Sequence, residues 1–406
     1  MEYKLSELVK LRYGKSQKRV ENTNGKYPII GTGGIIGYAS DYLYNSPSVL
    51  IGRKGSIQNI YYIDKPFWTI DTLFFTEINE NFIIPKFLYY KLKTIDFIQY
   101  NEGTSIPSLR TQTLNEIILD IPKFSEQKKI TNTLNNLDKK IEVNNKIISN
   151  LEEQAQSIFK SWFIDFEPFQ DGNFVESELG LIPEGWEVKN IGCLIDFDIG
   201  GGWGKETPND KYCLPAYVIR GTDIENIKKG FYNKENYRFH TVSNLKNRRL
   251  QYGDIIFESS GGSVNQDLGR MLYVSDKLLE EYNDDVICAS FCKLIRADNV
   301  ITRWFLYNSL KFAYNRRYLT KYEVKSTGIS NFSFKIFKDD YKIVYPNNKF
   351  LKKYFELTYD NFKLISNLSI QNKKIAEIRD ALLPKLMSGE IDVSSINLEE
   401  GEILNE

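Results

Sequence analysis

The sequence predicts an α+β fold in which two similar mixed α/β domains are each followed by one long helix. Three observations carry that prediction: an unbroken heptad seam in mid-chain, blocks of sequence that recur in the same order in both halves, and short apolar runs bounded by turn residues. At 406 residues the chain exceeds a single ordinary core, so two or three domains are expected.

The seam comes first. Ile130, Leu134, Leu137, Ile141, Asn144, Ile148, Leu151, Ala155, Ile158 and Trp162 alternate steps of four and three without a slip, as the apolar edge of a coiled-coil helix does. Ser125, Lys128 and Lys129 after Pro122 mark its start, and Pro168 lies beyond its end. Such a helix is roughly 50 Å long at 1.5 Å per residue, too long for one side of a compact domain. A second stretch, from Asn348 to Ser388, carries Leu351, Phe355, Phe362, Ile365, Leu368, Asn372, Ile375, Leu382 and Leu386 on its apolar side. Asn144 and Asn372 interrupt the two stripes, where a lone polar residue fixes register at some cost in stability. Pro384 and Gly389 are expected to end the second helix, leaving a flexible acidic tail after Ile391.

The segments between the helices repeat one another. Tyr27 to Thr32 matches Tyr217 to Thr222; Val49-Leu50-Ile51 before Gly55 matches Ile255-Ile256-Phe257 before Gly261; Thr104-Ser105-Ile106 matches Thr327-Gly328-Ile329; Leu5 and Leu8 before Gly14 match Ile191 and Leu194 before Gly200. The order is kept throughout and a long helix follows each copy. The resulting boundaries are a first domain at 1–122, a spacer helix at 123–166, a second domain at 167–346, a second spacer helix at 347–390 and the tail at 391–406. Within the copies, Val49 to Ile51, Ile60 to Ile63, Leu73 to Phe75 and Ile117 to Leu119 read as strands, and Pro85 to Lys93 and Ile301 to Leu319 as helices.

Composition narrows the function. Lysine plus arginine (53) equals aspartate plus glutamate (53), so any nucleic-acid contact must come from local clusters. The start carries no basic segment leading into an apolar one, and no stretch offers about 18 uninterrupted apolar residues; a cytoplasmic protein without membrane contact is expected. Cys193, Cys213, Cys288 and Cys292 lack Cys-x-x-Cys spacing and read as small core residues in a reducing compartment rather than metal ligands.

Catalytic signatures fail one by one. No Gly-x-Gly-x-x-Gly stands in a strand-to-helix setting with a following acidic residue. The run Gly31 to Gly37 reads as a turn. Gly200-Gly201-Gly202-Trp203-Gly204-Lys205 resembles a phosphate loop only superficially, since Ile199 and Glu206 stand where a glycine and a hydroxyl belong. Glu187-Val188-Lys189 and Glu323-Val324-Lys325 echo a nuclease triplet but lack an upstream Pro-Asp partner. His240 follows Arg238 in a polar stretch and is expected at the surface. No catalytic, cofactor or metal residue is therefore assigned.

What remains is polar and cationic side chains in glycine-rich loops. Arg53, Lys54, Gly55 and Ser56 follow a strand directly, and their counterparts are Ser259, Ser260, Gly261, Gly262, Ser263 and Asn265. Arginine can fork onto guanine, serine and asparagine can meet bases or phosphates, and glycine admits close backbone approach. Thr32, Gly33 and Gly34, Thr104 and Ser105, Thr222, and Lys325, Ser326 and Thr327 complete the candidate DNA contacts. Lys15, Lys18 and Arg19, then Lys246, Arg248 and Arg249, and later Arg316, Arg317, Lys321 and Lys325 are clusters suited to phosphates. A solvated surface charge accounts for any one of them as well.

Three segments resemble a known family. Ile121-Pro122 with Glu126-Gln127, and the helix ending Ala155-Gln156-Ser157-Ile158-Phe159-Lys160-Ser161-Trp162-Phe163-Ile164-Asp165-Phe166, resemble the central region of type I restriction-modification specificity subunits. Gly180-Leu181-Ile182-Pro183-Glu184-Gly185-Trp186 looks like the opening of their second recognition domain. Arg379 to Ile391, through Leu382-Leu383-Pro384-Lys385-Leu386, looks like their distal region. The resemblance implies two target-recognition domains related by pseudo-twofold symmetry, with the helices packed as an antiparallel coiled coil. It implies a double-stranded DNA target in two halves, two methyltransferase subunits docked on the helices, and restriction or translocase subunits beyond them. S-adenosylmethionine, ATP and magnesium would then sit on those partners and none on this chain. A spacer of roughly 50 Å spans about 14 base pairs at 3.4 Å each. Competing readings are the specificity partner of a fused type II restriction-methylation enzyme, a stand-alone nuclease or methyltransferase, and a scaffold that never touches DNA.

Overall fold

The computed structural model describes residues 1–261, 266–325 and 328–394. The chain divides into two compact units, one of residues 1–140 with 375–406 and one of residues 141–374. The division falls inside both long helices, Phe124–Phe163 and Asn348–Ser388.

In the first unit, strands Val9–Tyr13, Leu73–Ile78, Ser48–Gly52 and Ile60–Ile63 lie side by side in that order, all antiparallel. A second sheet runs Gly34–Ala39, Tyr27–Gly31, Trp68–Thr69, with its last pair parallel. Strand Ser48–Gly52 is buried along its whole length, which explains its continuous apolar run in place of an alternating one. Its one polar side chain, Ser48, is bonded to Thr76, so the burial leaves no hydroxyl unsatisfied there. Leu5, Leu8, Val49, Ile51, Phe74, Phe87 and Leu88 form the core together with Ile130, Leu134, Leu383 and Leu386 from the long helices.

The second unit repeats these two sheets strand for strand. Phe197–Gly200, Cys292–Arg296, Ile255–Glu258 and Met271–Tyr273 make the antiparallel sheet; Tyr237–His240, Leu214–Ile219 and Val286–Cys288 make the mixed one. The copies agree down to single hydrogen bonds. Gly14 N donates to Leu73 O as Gly201 N donates to Cys292 O, and Ile70 N donates to Ile30 O as Ala289 N donates to Ile219 O. The pair Glu2–Lys4 with Ile118–Asp120 has its counterpart in Glu187–Asn190 with Lys342–Tyr345.

Within each unit the helices pair antiparallel. In the first, Arg379 Nη1 donates to Asp138 Oδ1 at 2.8 Å, and Tyr90 Oη donates to the same carboxylate. In the second, Asn144 Nδ2 reaches Asn372 Oδ1 at 2.8 Å and Gln371 Oε1 at 2.7 Å, and the ring of Phe163 lies 4.9 Å from that of Tyr354. Every seam position is buried or half-buried: Ile130, Leu134 and the two asparagines fully, Leu137, Ile141, Ile148, Leu151, Ile158, Ile365, Leu368, Ile375 and Leu382 in part.

Four sequence expectations need correction. The helix expected to Leu319 is Val300–Asn315; Arg317 takes a left-handed backbone (φ 59°) and turns the chain away. Pro384 lies inside the second long helix, which stops at Ser388 before Gly389 (φ 77°). Its missing N–H is tolerated because Leu383, Leu386 and Met387 on that last turn are buried. Cys193 and Cys213 are exposed, whereas Cys288 and Cys292 are buried. His240 is fully buried although it ends an edge strand with exposed or half-buried neighbours: it pairs with Leu214, and the Gly204 backbone passes so close that a Cβ there would stand 2.7 Å from its Cε1.

Candidate nucleic-acid interface

In each unit one short segment ties the candidate loops together. In the first it is residues 69–72: Lys15 N donates to Thr69 O, Ile70 N to Ile30 O, and Arg53 N and Lys54 N to Thr72 O. A Cβ at Gly14 would stand 1.9 Å from Ile70 O, so the glycine before Lys15 is required for this approach. Gly55 N donates to Pro107 O and Leu109 N to Arg53 O, which seats the 101–109 loop, with Thr104 and Ser105 exposed, beside Arg53 to Ser56. Asn59 Nδ2 and Tyr61 Oη both donate to Thr32 O at 2.7 Å, holding the Thr32-Gly33-Gly34 turn against the same loop. That turn closes a hairpin, so the glycine run is a turn between two strands.

Arg53 is half-exposed. Its Nη1 donates to Asp71 O at 2.8 Å and its guanidinium lies 5.0 Å from the Tyr13 ring, which orients the fork before any ligand arrives. Lys15, Lys18, Arg19 and Lys54 are exposed, and none forms an ion pair among the described residues. Uncommitted cations beside ordered polar loops are what a phosphate backbone requires.

The second unit repeats the arrangement around residues 288–292. Gly202 N donates to Cys288 O, and Ser259 N, Ser259 Oγ and Ser260 N all donate to Phe291 O. A Cβ at Gly201 would lie 2.1 Å from Ala289 O, which explains the glycine run that mimics a phosphate loop. Ser260-Gly261 pairs with strand Ser330–Phe332, whose other neighbour is Glu323–Lys325, so Lys325 comes to the Ser260 loop. Thr222 is exposed on a short turn at Gly221–Asp223. Ser263, Asn265, Ser326 and Thr327, and Gly262, lie outside the described residues.

The second unit's cations are more committed. Arg249 is paired with Asp285, Arg248 Nε donates to Gly200 O at 2.8 Å, Arg317 pairs with Asp267 and Lys321 with Asp340. Arg220 forks onto Asp223. Burial would raise the Asp223 carboxyl, but the bonds from Arg220 outweigh it and hold the group below its ordinary 3.8. A carboxyl depressed in the folded state stabilises the fold above its unfolded value, and that stability drains away as pH falls through the folded one. Unfolding free energy is therefore expected to decline below about pH 4, with a shallower acid slope in Asp223→Asn; chemical denaturation at several pH values measures it. His240 is driven the other way: burial lowers its imidazole, Arg248 adds to that, and Asn244 opposes it.

Sequence reasoning missed the aromatic residues beside these loops. Trp203 (40% exposed) carries the Arg238 guanidinium 4.9 Å from its ring, and Phe291 (54% exposed) belongs to the connecting segment itself. No motif marks either.

The model of the type I restriction modification DNA specificity domain matches residues 1–153. The type I restriction enzyme MjaIX specificity subunit of Methanocaldococcus jannaschii is 30% identical over 325 residues, 77% of this chain and 71% of the relative. The HindI specificity subunit of Haemophilus influenzae is 24% identical over 407 residues, covering 86% of each. The crystal structure of a type I restriction-modification S subunit from M. genitalium shares the fold, with a TM-score of 0.57 at 18% identity over 95% of both chains.

Proposed function

Because this chain belongs to the type I restriction-modification specificity subunits, we propose that each of its two domains reads one half of a bipartite duplex target. The observation that carries this reading is the duplicated constellation of loops. Residues 69–72 and 288–292 each hold a glycine-led loop and a strand-end loop, and in each unit the strand-end loop in turn seats a later segment, Pro107 to Leu109 or Ser330–Phe332, with polar or cationic side chains on these loops. Two copies of one reading surface suit a target with two half-sites, and the difference between Arg53-Lys54 and Ser259-Ser260 suits half-sites of different sequence.

The long helices serve as spacer and as docking platform. Val143 and Ile147 on the first, and Leu357 and Leu364 on the second, are exposed apolar residues at helical spacing, a surface suited to methyltransferase subunits. Those subunits carry S-adenosylmethionine and the transfer chemistry, and restriction or translocase subunits carry ATP and magnesium, so this chain acts in the cytoplasm as a non-catalytic reader. Among the described residues no helix is long and apolar enough to cross a membrane.

Arg53→Ala tests the assignment. Loss of a bidentate contact weakens recognition by about 1–3 kcal/mol. Methylation sequencing of a host carrying the variant should show relaxed or lost modification through the first half-site, with the complex still assembling. Unchanged target choice and affinity would remove Arg53 from the interface.

A further inference from the structure

A cavity of about 490 Å³ opens in the second unit between the loops that carry Thr222 and Ser260. Trp203 and Phe291, both exposed aromatic residues, stand on its wall, and Glu258, Gln266 and Arg270 line it as well. Arg270 forks onto Glu258 at 2.5 and 2.8 Å, with the carboxylate side chain 6% and the guanidinium 12% exposed. The Gln266 amide oxygen, in the orientation that satisfies both groups, accepts from Arg270 Nη1 at 2.8 Å.

The fold does not require this cavity. Glu258 pairs with Cys292 as Gly52 pairs with Leu73, so the two positions correspond. In the first unit that place is closed by backbone, since a Cβ at Gly52 would stand 2.4 Å from Ser56 O. In the second, Gly221 is the residue that makes room: a Cβ there would lie 2.7 Å from Glu258 Oε1. A buried ion pair adds little stability over an apolar pair of the same volume. Its presence beside an open cavity, with aromatic walls, is what ligand recognition demands.

We propose that this cavity receives a single nucleobase swung out of the duplex bound by the second domain. Two observations select that ligand class. Every base offers π faces for Trp203 and Phe291, and an edge with a donor beside an acceptor for the Glu258 carboxylate and the Gln266 and Arg270 groups. The cavity also opens between the two loops read as DNA contacts, so the base need not travel far. It is large enough for a base with part of its sugar.

The inference rests on the DNA-reading function proposed above, and its test separates the two. The target is first mapped by methylation sequencing. The full chain is then titrated with duplexes in which each position of the second half-site is mismatched by changing only the opposite base. A mismatch at an ordinary contact weakens binding, whereas one at the extruded base removes the pairing energy beforehand and tightens it, here by about tenfold. Phe291→Ala, an exposed position that keeps the fold, should abolish that gain, and Glu258→Gln should do the same if it folds. If no mismatch tightens binding, or if Phe291→Ala keeps the full gain, the inference is overturned while the reading function stands. If adenosine, guanosine, cytidine or thymidine alone binds the chain and Phe291→Ala removes that binding, without any mismatch effect on DNA, the ligand is a free nucleoside and the duplex source is wrong. A chain that binds no mapped target at all overturns the reading function itself.

Discussion

Inserting one heptad into each long helix, after Lys140 and after Ile375, should abolish modification of the native target and create modification of a target with a longer gap. Along the sequence each insertion falls between the same two contacts, Asp138 with Arg379 in the first unit and Asn144 with Asn372 in the second. A heptad returns the apolar seam to the same face, so the pairing on both sides is kept. Seven residues add about 10 Å of rod, or about 3 base pairs. Half-sites out of step with the domains lose most of their specific contacts, which amounts to at least about 100-fold in affinity. Methylation of a library of duplexes with graded gaps measures the shift. Unchanged preference for the native gap would show that the helices do not set the spacing. A single insertion in one helix only should instead destabilise the protein, because the seam would lose its partner over the rest of its length.

Replacing Phe159 by alanine should lower the stability of the second unit by about 3–5 kcal/mol. The ring lies 5.2 Å from Phe163, 5.4 Å from Phe312, 6.0 Å from Phe305 and 6.1 Å from Tyr354, so it joins the first long helix to the second and to helix Val300–Asn315. It is 3% exposed and surrounded by rigid aromatic neighbours that cannot collapse into the space left behind. A loss of that size is a large fraction of a domain's net stability of about 5–15 kcal/mol. Urea unfolding followed by tryptophan fluorescence reads the loss through Trp162, Trp186 and Trp304, which belong to the same core. A change below about 1 kcal/mol would mean that this cluster does not hold the helices to the domain.

The residues that were readable in the sequence share one property: their pattern is local. The seam from Ile130 to Trp162 follows from a period of three and four, and the helix found, Phe124–Phe163, covers it. Strands such as Ser48–Gly52 follow from short apolar runs closed by turn residues. The duplication follows from order alone, and the structure extends it to single hydrogen bonds while moving the counterpart of Gly14 from Gly200 to Gly201. His240, Pro384 and the exposed cysteines were misread because burial depends on which elements pack above a residue. Polar neighbours along the chain do not report that.

The candidate interface divides in the same way. Arg53, Lys54, Thr104 and Ser105 were legible as polar loops, yet the docking of Arg53 and Lys54 on Thr72, and of the Thr104 loop on Arg53 and Gly55, was not. Arg248 and Arg249 read as free cations until Gly200 and Asp285 were found holding them. Trp203, Glu258, Arg270 and Phe291 are scattered along the second unit and carry no spacing rule.

By itself, then, the sequence determined two copies of one domain, two long helices and the absence of a familiar catalytic motif, because periodicity and repetition are properties of neighbouring residues. Which cations stay uncommitted, which loops meet, and where a cavity opens beside Glu258 were decided only by tertiary structure. Those depend on contacts between residues far apart in the chain, where a buried charge needs a partner and a glycine is needed only because another backbone passes within van der Waals range.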